Sequence, residues 1–452
     1  MTTQTNMEAL VLGLGASGVA AAELLASESA NVTVIDSSSD TEIESRARSL
    51  RERGMQVMTG CESIPEGPFD VAIASPGIPQ DTPWMCALRD RGVTIKSELE
   101  LGAEHCHCPM LAITGTNGKS TLAKLCGDAL SRAGHRVAVA GNYGLPLSAV
   151  APDSNALDWA VVEVSSFQLE TVTDFHPRVA VILNLQPDHL DRHPDMDTYL
   201  AMKARLFRQV EPGDTCVAPL GLVDSLEAAL GESGHACSWT TFGDSADADF
   251  RYAAHGVQFG HNGSSVSVPV AGSYFDNEVL GLSVAAAAAA LRGCDCPDAA
   301  LRDAVQAFEP LAHRMQEVAV LRGVHFINDS KATNLSAMDA ALGMCPPSSR
   351  LIAGGILKTG NLADVEERLA NKISCVYVIG RDADTLLEAW SGTVACRRCD
   401  DLETAVRTAW REAREGEAIV LSPGCASFDQ FDNFEDRGSQ FVHIVKQIEK
   451  EI

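Results

Sequence analysis

The fold is decided by the stretch Met110-Leu-Ala-Ile-Thr-Gly-Thr-Asn-Gly-Lys-Ser-Thr121. Its apolar first half predicts a buried strand, and Gly115 and Gly118 allow the backbone to turn tightly after it. Lys119 then opens a helical pattern whose first turn carries two hydroxyl side chains. Backbone N–H groups, a helix N-terminus, a lysine and a hydroxyl are the parts from which proteins build a phosphate cradle. The stretch therefore predicts a site for the phosphates of a nucleoside triphosphate.

This phosphate loop departs from the strict Walker A pattern, which has a further glycine where this chain has Ile113. The loop therefore indicates triphosphate binding without indicating which class of protein uses the triphosphate. The candidate phosphate-binding residues are those of the loop and the first turn after it, namely Gly115, Thr116, Asn117, Gly118, Lys119, Ser120 and Thr121.

Upstream of the loop, strand and helix signals alternate. The strand Glu8–Leu12 leads into Gly13-Leu-Gly-Ala-Ser-Gly18, a helical pattern follows, and the strand Val32–Asp36 ends in an acid. A glycine-rich turn between strand and helix, with an acid closing the next strand, is typical of a Rossmann-like nucleotide site. On these residues alone, a nicotinamide-dependent oxidoreductase stays open as an alternative.

Downstream of the loop, the pattern continues as two further α/β units. The central unit has predicted strands at Val137–Ala140, Trp159–Val164, Val179–Leu183, Phe250–Gln258 and Ser265–Val270, and an alanine-rich helix at Leu282–Arg292. The third unit has predicted strands at Val324–Ile327, Arg350–Ala353, Val376–Ile379 and Ala418–Leu421. A chain of 452 residues is too long for one ordinary core. We expect an α/β protein of three domains: a Rossmann-like N-terminal domain (1–97), a central P-loop ATPase-type domain (98–310) and a Rossmann-like C-terminal domain (311–452).

The composition narrows the class of protein. A formal net charge of −26 argues against a nucleic-acid partner, whose phosphates would be repelled. No apolar run is long enough to span a bilayer, and the first residues lack the pattern of a signal peptide. We therefore expect a cytoplasmic protein without membrane insertion. Anionic small substrates stay possible where local positive groups and metal hold them.

The 14 cysteines are expected to be reduced thiols in such a compartment. Two clusters resemble half of a zinc site, His105-Cys-His-Cys108 and Cys396-Arg-Arg-Cys399. Neither has a second pair of ligands at suitable spacing, so we interpret both as ordinary thiols.

Polar residues directly after predicted strands are site candidates, since ligands of parallel sheets bind at the carboxyl ends of the strands. Glu163 ends a strand near the phosphate loop, where a carboxylate is a usual Mg²⁺ ligand. His189 follows the next strand, and we favour it over Asp191 and His193, which could equally be surface loop residues. Lys203 lies in a helical pattern, and its spacing alone predicts an ordinary surface lysine.

The third unit carries cations and a dense polar cluster. Arg314 could fork onto phosphate bound in another domain. The cluster Asn328-Asp-Ser-Lys-Ala-Thr-Asn334 follows a strand, and a helix N-cap would account for only one of its residues. Lys331 and Lys358 could bind anionic groups, and Asp329 could orient an ammonium group or a ribose.

Together these motifs resemble the Mur ligases, the ATP-dependent amide-forming enzymes of peptidoglycan precursor synthesis. The loop Gly115–Thr121 is shared with folylpolyglutamate synthases and indicates only the superfamily. Three segments are more selective and are similar to the members that add D-glutamate: Ser165-Ser-Phe-Gln-Leu-Glu170, Asp329-Ser-Lys-Ala-Thr-Asn334 and Ser422-Pro-Gly-Cys-Ala-Ser-Phe-Asp429. The resemblance covers essentially the whole chain, in the family's three-domain order.

The resemblance implies a bacterial ligase that joins D-glutamate to UDP-N-acetylmuramoyl-L-alanine through an acyl phosphate, in cell-wall biogenesis and so in cell shape and division. It implies ATP, two Mg²⁺ ions, small-molecule substrates only, and a monomer. A folylpolyglutamate synthase would not need the UDP-type first domain. An oxidoreductase would leave the phosphate loop unexplained, and a P-loop switch protein would leave the cluster after Asn328 without a role.

The resemblance also implies roles for single residues. The ATP site would comprise the phosphate loop, Arg314 and Asp329, and His313 would meet the nucleotide beside Arg314. Ser120, Glu163, His189 and a carbamylated Lys203 would hold the metal ions, and Lys119, Glu163, His189 and Lys203 would be catalytic. The UDP-sugar would contact Ala16, Ser17, Gly18, Asp36, Ser37, Gly77 and Asn142. The D-glutamate would contact Lys331, Thr333, Lys358, Ser427 and Phe428.

Overall fold

The computed structural model describes residues 7–190, 192–259, 266–358 and 360–452. The first sheet is parallel, with the strand order β3-β2-β1-β4-β5. Its central strands β1 and β4 are almost entirely buried because helices cover both faces. The elements are β1 Glu8–Leu12, α1 Ala16–Ser27, β2 Asn31–Ile35, α2 Thr41–Glu52, β3 Gln56–Met58, β4 Val71–Ala74, α3 Pro83–Asp90 and β5 Thr94–Ser97.

The second sheet carries the phosphate loop and has the order β14-β13-β12-β11-β10-β9-β6-β8-β7. Its pairings are parallel from β7 to β12 and antiparallel from β12 to β14. The elements are α4 Glu98–Glu104, β6 Met110–Thr114, α5 Lys119–Arg132, β7 Val137–Gly141, α6 Leu147–Val150, β8 Trp159–Glu163, α7 Ser166–Leu169, β9 Val179–Ile182, α8 Met196–Ala204, β10 Thr215–Pro219, α9 Val223–Leu230, β11 Trp239–Gly243, β12 Phe250–Ala253, β13 Gly256–Phe259, β14 Val266–Pro269, α10 Glu278–Arg292 and α11 Asp298–Gln306.

The third sheet has the order β15-β16-β20-β17-β18-β19 and is parallel except for the edge strand β15. The elements are β15 Gln316–Leu321, β16 Val324–Asn328, α12 Leu335–Met344, β17 Ser349–Gly354, α13 Glu366–Lys372, β18 Ile373–Ile379, α14 Ala383–Trp390, β19 Cys396–Arg398, α15 Leu402–Glu412, β20 Ala418–Leu421 and α16 Phe434–Glu451. Short 3-10 turns lie at Ala151–Ala156, Arg205–Phe207, Leu220–Leu222, Gly231–Ala236 and Leu362–Val365.

These sheets confirm the predicted class, α/β with a Rossmann-like first unit, a phosphate-loop central unit and a Rossmann-like third unit. Two details of the central unit differ from the sequence prediction. The segment predicted as one strand, Phe250–Gln258, is the hairpin of β12 and β13. Its turn has positive φ at Ala254 (48°) and His255 (60°), residue types that do not signal a turn from sequence. The helix predicted from Leu282 begins earlier, at Glu278, because the Asn277 side chain accepts the Leu280 N–H as its N-cap.

Close helix–sheet packing explains the alanine run of α10. The run from Ala285 to Ala290 is buried against the sheet. At Gly281 an added Cβ would lie 2.2 Å from the Tyr252 ring, so small residues set how closely this helix approaches. The Ser265 end of the strand predicted at Ser265–Val270 lies outside the described residues. Within the described ranges, none of the helices is long and apolar enough to cross a membrane.

Candidate active site

The candidate site forms where three neighbouring strands end. Strand β6 lies between β9 and β8 in the central sheet, and all three are parallel. Their carboxyl ends therefore lie at one edge. The phosphate loop leaves β6 there, Glu163 is the last residue of β8, and the segment from Leu183 to His189 follows β9. This topology brings together residues that are far apart in the sequence.

The phosphate loop is held by a side chain that the sequence did not single out. Gly115 and Gly118 have φ of 147° and 82°, conformations that favour glycine. Asn184 Oδ1 accepts the backbone N–H groups of Thr116 and Asn117, both at 3.0 Å. One amide side chain therefore sets the shape of the loop from the neighbouring strand.

The ammonium group of Lys119 lies within this turn. Its Nζ donates to the carbonyl oxygens of Gly115 (2.9 Å) and Thr116 (2.8 Å). Burial lowers the pKa of Lys119, while the nearby Glu163 carboxylate opposes that change. The loop thus holds a desolvated cation, as an anion site needs, and the Glu163 carboxylate lies close enough to act on its charge.

Ser120 and Glu163 form the centre of the site. Ser120 Oγ donates to Glu163 Oε2 at 2.5 Å, and Asn142 Nδ2 donates to Glu163 Oε1 at 2.8 Å. A buried hydroxyl beside a buried carboxylate is a set of hard oxygen donors that fits Mg²⁺. Arg314 Nη2 donates to Ser120 Oγ at 2.8 Å, so a third-unit cation reaches the first turn after the phosphate loop. Asn142, which the resemblance groups with the UDP-sugar, lies here, at the phosphate-loop side.

Lys203 is buried beside the phosphate loop, so its prediction as an ordinary surface lysine was wrong. It is 1% exposed, and its Nζ donates to Gly115 O at 2.9 Å and lies 4.4 Å from the centre of the Tyr199 ring. Burial, and next the nearby Lys119 ammonium, hold the pKa of Lys203 well below its ordinary value. A lysine with a lowered pKa has a neutral, nucleophilic amine available.

His189 and its neighbour Asp188 face the third domain. Burial lowers the pKa of His189, and its ring packs edge-on against Phe167 at 4.7 Å. Asp188, which sequence reasoning missed, accepts the Asn334 amide at Oδ2 (2.7 Å). Lys358 Nζ lies 3.9 Å from Asp188 Oδ1. The only sequence signal for Asp188 was its position in the loop after β9.

The loop after β9 contains two further candidates from the sequence, His193 and Asp191. His193 is 3% exposed and pairs with Ser166 Oγ at 3.0 Å, so it is a buried residue and not a surface one. Asp191 lies outside the described residues. In the described ranges no group of three or more His, Cys, Asp or Glu side chains is placed to hold a metal ion. The metal roles of Glu163 and His189 therefore stay predictions.

Asp329 shapes the turn that carries Arg314. Its carboxylate accepts the Ser422 hydroxyl (2.8 Å) and the Met315 N–H (3.1 Å). Burial raises the pKa of Asp329 to about 7. His313 and Met315 have φ of 62° and 43°, so this turn is strained on both sides of Arg314 and is held by these contacts.

The residues predicted to receive the amino acid lie on the third domain with different exposures. Lys331 Nζ lies 3.8 Å from the centre of the Phe434 ring, and burial, with Arg314 next, lowers the pKa of Lys331 to about 8. Ser427 is buried, whereas Phe428 is 71% exposed. Thr333 is half-buried in the loop that leads into α12.

Cations therefore concentrate here in a chain of net charge −26. Lys119, Lys203 and Lys358 all lower the pKa of His189 through their charges. Arg314 and Lys119 act in the same way on Lys331. Leaving aside Lys203, whose amine is neutral, the basic groups Lys119, Lys331, Lys358 and Arg314 form a cation cluster that makes this edge of the sheet suited to a polyanion.

The glycine turn of the first domain lies on its own sheet. Gly13 has φ of 95°, and a Cβ at Gly18 would lie 1.9 Å from Gly13 O, so both positions require glycine. Asp36 Oδ2 accepts the Leu14 N–H at 2.6 Å, which ties the end of β2 to the turn.

The remaining UDP-sugar candidates surround this turn. Ala16 and Ser17 open α1, and Ser37 and Gly77 are exposed in the loops after β2 and β4. The structure thus brings these residues and Asp36 to one edge, apart from Asn142. Arg192, bound to both oxygens of Glu170, also donates to Ile78 O at 3.2 Å and so joins this edge to the central domain.

Comparison with known proteins agrees with this architecture. The family described as Mur ligase MurD-like, N-terminal domain, matches residues 7–97. The Mur ligase middle domain matches residues 113–289, and the Mur ligase glutamate ligase domain matches residues 313–425. Among solved structures, UDP-N-acetylmuramate-alanine ligase MurC from Thermotoga maritima has a TM-score of 0.62 at 16% identity, covering 98% of this chain and 100% of that one. FolC from E. coli, in complex with DHPP and ADP, has a TM-score of 0.57 at 19% identity, covering 78% and 92%. At these identities the two structures show a shared fold.

Curated sequences are more similar. The UDP-N-acetylmuramoylalanine--D-glutamate ligase of Acidobacterium capsulatum is 37% identical over 96% of this chain and 95% of its own length. The protein of the same name from Myxococcus xanthus is 36% identical over 98% and 99%. That from Desulfotalea psychrophila is 40% identical over 84% and 82%. With matches that run through all three domains, this chain belongs to the Mur ligase family.

Proposed function

We propose that this chain is an ATP-dependent ligase that adds D-glutamate to UDP-N-acetylmuramoyl-L-alanine in bacterial peptidoglycan precursor synthesis. The names of the curated relatives and their nearly full-length similarity support this activity. The observation that carries it is the hydrogen bond from Arg314 to Ser120, which joins a cation of the third domain to the phosphate loop. This contact supports a shared site in which the amino-acid candidates of the third domain would lie near the phosphates of a bound nucleotide.

The chemistry follows from the need to activate a carboxylate. At neutral pH a carboxylate does not react with an amine, so the L-alanyl carboxylate first attacks the γ-phosphate of ATP. The bond from the γ-phosphorus to the bridging oxygen breaks, ADP leaves, and an acyl phosphate forms. The amine of D-glutamate then displaces phosphate through a tetrahedral intermediate. Lys119 and Arg314 stabilise charge on the transferring phosphoryl group, a task of positioning and electrostatics.

Ser120, Glu163, His189 and a modified Lys203 are the proposed residues for two Mg²⁺ ions. The hydroxyl and carboxylate oxygens of Ser120 and Glu163 fit that metal. Bound Mg²⁺ would supply positive charge at the phosphates. Unmodified Lys203 is a poor ligand, but its lowered pKa supports carbamylation, in which the neutral amine adds to CO₂ and releases a proton.

The remaining roles follow the domains. Residues 1–97 would bind the UDP end, with Ala16, Ser17, Gly18, Asp36, Ser37 and Gly77 at the turn. Residues 98–310 would bind ATP, and Asn142 would connect the ATP and sugar sides through Glu163. Residues 311–452 would bind D-glutamate through Lys331, Thr333, Lys358, Ser427 and Phe428, and would place His313, Arg314 and Asp329 at the nucleotide.

The test is phosphate release from ATP with each substrate omitted in turn. We expect release only when both UDP-N-acetylmuramoyl-L-alanine and D-glutamate are present, and none when L-glutamate replaces D-glutamate. Release that depends on a folate would favour a folylpolyglutamate synthase. Release without any acceptor would favour a P-loop switch protein.

The substrates also suggest where and in what state the protein works. ATP and a nucleotide-activated sugar are cytoplasmic metabolites, so we place the reaction in the bacterial cytoplasm. We propose that the enzyme is a monomer, because one chain supplies candidates for all three substrates. Sedimentation equilibrium at assay concentration tests this proposal, and a dimer would contradict it.

A further inference from the structure

A cavity lies at the edge of the central sheet that is opposite to the phosphate loop. It has a volume of about 400 Å³, within the usual range of small-molecule sites. Its walls come from the end of α4, the start of β6 and the segments before β9 and β10. Cys106 and Cys108 line it, from the motif that sequence analysis interpreted as ordinary thiols.

The two thiols are already in contact. Cys106 Sγ lies 3.6 Å from Cys108 Sγ, and Cys106 is half-buried whereas Cys108 is 7% exposed. The His107 N–H between them donates to Ser154 Oγ at 3.0 Å, which fixes the turn. The hydrogen bond shared with Cys108 lowers the pKa of Cys106 to about 7, so about half of Cys106 is thiolate at pH 7. The pKa of Cys108 is raised by the same contact.

The charged residues that line this cavity are mostly acidic, so they favour a positively charged ligand. Its carboxylates come from Glu100, Glu104, Asp174, Glu211 and Asp214, and its basic side chains are Arg178, His107 and His176. Arg178 and His176 are both paired with Asp214, at 3.2 and 2.5 Å, and Glu104 is paired with Lys96 at 2.5 Å. Among the described residues Glu100, Asp174 and Glu211 have no such ion pair, and they give the wall its excess of negative charge.

One of these carboxylates has an oxygen without a partner. Glu100 is 1% exposed, and its Oε1 accepts Thr173 Oγ1 and the Asp174 N–H. Its Oε2 is buried and has no hydrogen-bond partner among the described residues. Such a cavity favours a ligand with an ammonium group.

We propose that this cavity is a thiol–disulfide exchange site for small disulfides that carry amines, with Cys106 as the attacking thiol and Cys108 as the resolving thiol. The Cys106 thiolate attacks one sulfur of R–S–S–R, so that the mixed disulfide Cys106–S–S–R forms and RS⁻ leaves and takes a proton. Cys108 loses its proton and attacks the Cys106 sulfur, which releases the second RS⁻. The two cysteines lose two electrons and two protons, and the disulfide becomes two thiols.

The experiment compares two disulfides of opposite charge on the full-length protein. Cystamine carries two ammonium groups, and dithiodiglycolate carries two carboxylates. We expect cystamine to oxidise Cys106 and Cys108 about tenfold faster than dithiodiglycolate does. Mass spectrometry of the tryptic peptide Ser97–Lys119 follows the loss of two hydrogen atoms. Equal rates for the two reagents would overturn the charge selectivity.

Variants separate the two steps. Cys108→Ser should stop at the mixed disulfide on Cys106, and Cys106→Ser should react slowly or not at all. Asp174→Asn combined with Glu211→Gln, which removes two wall charges without removing a thiol, should reduce the preference for cystamine. A Cys106→Ser variant in which Cys108 reacts as fast as in the parent would contradict the assignment of the attacking thiol.

Two other thiol sites of the chain serve as internal controls. Cys86 is exposed on α3 and feels the overall negative charge of the protein. Cys216 and Cys237 share a hydrogen bond but do not line the cavity. If Cys86 or the Cys216–Cys237 pair shows the same preference for cystamine as Cys106, the cavity is not its cause and the proposal fails. These readouts do not involve ligase activity, so the proposal stands or falls independently of the proposed function.

Discussion

The glycine turn of the first domain and the phosphate loop of the central domain are built alike but equipped differently. Each follows a buried strand with parallel neighbours and leads into a helix. Gly13 has positive φ in the first turn, and Gly115 and Gly118 have it in the second. The Gly13–Gly18 turn contains no cationic side chain, and Asp36 is tied to its backbone. The Arg46 guanidinium reaches this turn, but it donates to Leu14 O and is paired with Glu42. The Gly115–Thr121 loop holds Lys119, adjoins Lys203 and is reached by Arg314 from another domain.

The extra cations of the phosphate loop point to a loop that takes part in phosphoryl transfer, whereas the glycine turn has only what is needed to bind a phosphate. Backbone N–H groups at a helix N-terminus are enough to bind an anion. Transfer of a phosphoryl group also needs charges placed where negative charge develops. On this view, substitutions at the phosphate loop should affect turnover most, and substitutions at the glycine turn should affect substrate affinity.

The largest expected effect is from Lys119→Ala. Removing the ammonium group from the phosphate loop should lower kcat by about a thousandfold or more. Phosphate release under saturating substrates measures this change, and circular dichroism checks that the fold is kept. Lys124→Ala, on the same helix but paired with Asp128, is the matched control and should leave kcat nearly unchanged. Appreciable turnover in Lys119→Ala would contradict the view that the phosphate loop acts in phosphoryl transfer and the glycine turn only in binding.

The second effect concerns Lys203. We expect Lys203→Ala to lower kcat by about a hundredfold, because the carboxylate that a carbamate would supply is lost. Added short-chain carboxylates should restore part of the activity by occupying the vacated space. Removal of CO₂ and bicarbonate from the assay should reversibly lower the activity of the wild-type protein. Wild-type turnover in Lys203→Ala would mean that no carbamate forms here.

A third test compares the loops directly through glycine. In Gly18→Ala the new Cβ would lie 1.9 Å from Gly13 O, so the turn must shift. Strain of about 1–3 kcal/mol should raise KM for the UDP-sugar about tenfold or more and leave KM for ATP unchanged. Gly392→Ala is the control, since nothing lies within 4 Å of its added Cβ and it lies outside both loops.

The reciprocal change is Gly118→Ala. Its φ is 82°, and the new Cβ would lie 2.9 Å from Leu183 Cδ2. We expect KM for ATP to rise and KM for the UDP-sugar to stay unchanged. If both glycine variants altered both KM values equally, the two loops would not act separately.

A final effect is on stability rather than on turnover. The pKa of Asp329 is about 7 in the folded protein against an ordinary value of 3.8. The cost of burying its charge is therefore absent below about pH 4 and complete above about pH 7. The free energy of unfolding, relative to Asp329→Asn, should fall across this window by at most about 4 kcal/mol. Urea unfolding of both proteins at a series of pH values measures the difference, and parallel profiles would contradict it.

The sequence predicts those features whose signal lies within one short stretch of residues. The phosphate loop, the glycine turn and most central strands are local patterns, and the structure confirms them. The edge strands β15 and β19 were missed because they are partly exposed. The interior strands β10 and β11 were also missed, since their short runs of Thr, Cys, Ala and Pro or Trp, Thr and Phe give no clear apolar pattern. Asp188 was missed because its importance comes from Asn334 and Lys358, which lie far away in the sequence.

The burial of Lys203 is a second feature that depends on contacts between distant parts of the chain. A lysine in a helical pattern is ordinarily exposed, and only the packing of α8 on the phosphate loop buries this one. The family resemblance implies a role for Lys203 without a physical reason, and that role stays a prediction, which the lowered pKa of Lys203 supports.

The cation cluster inside a chain of net charge −26 has a consequence for ionic strength. At a distance an anionic substrate experiences the repulsion of the whole molecule, and only near the site does it experience the lysines and Arg314. At about 0.15 M salt the screening length is about 8 Å, which weakens the distant repulsion more than the close attraction. Moderate salt should therefore speed the capture of ATP, opposite to the slowing that salt causes in proteins that attract their ligands with a basic surface.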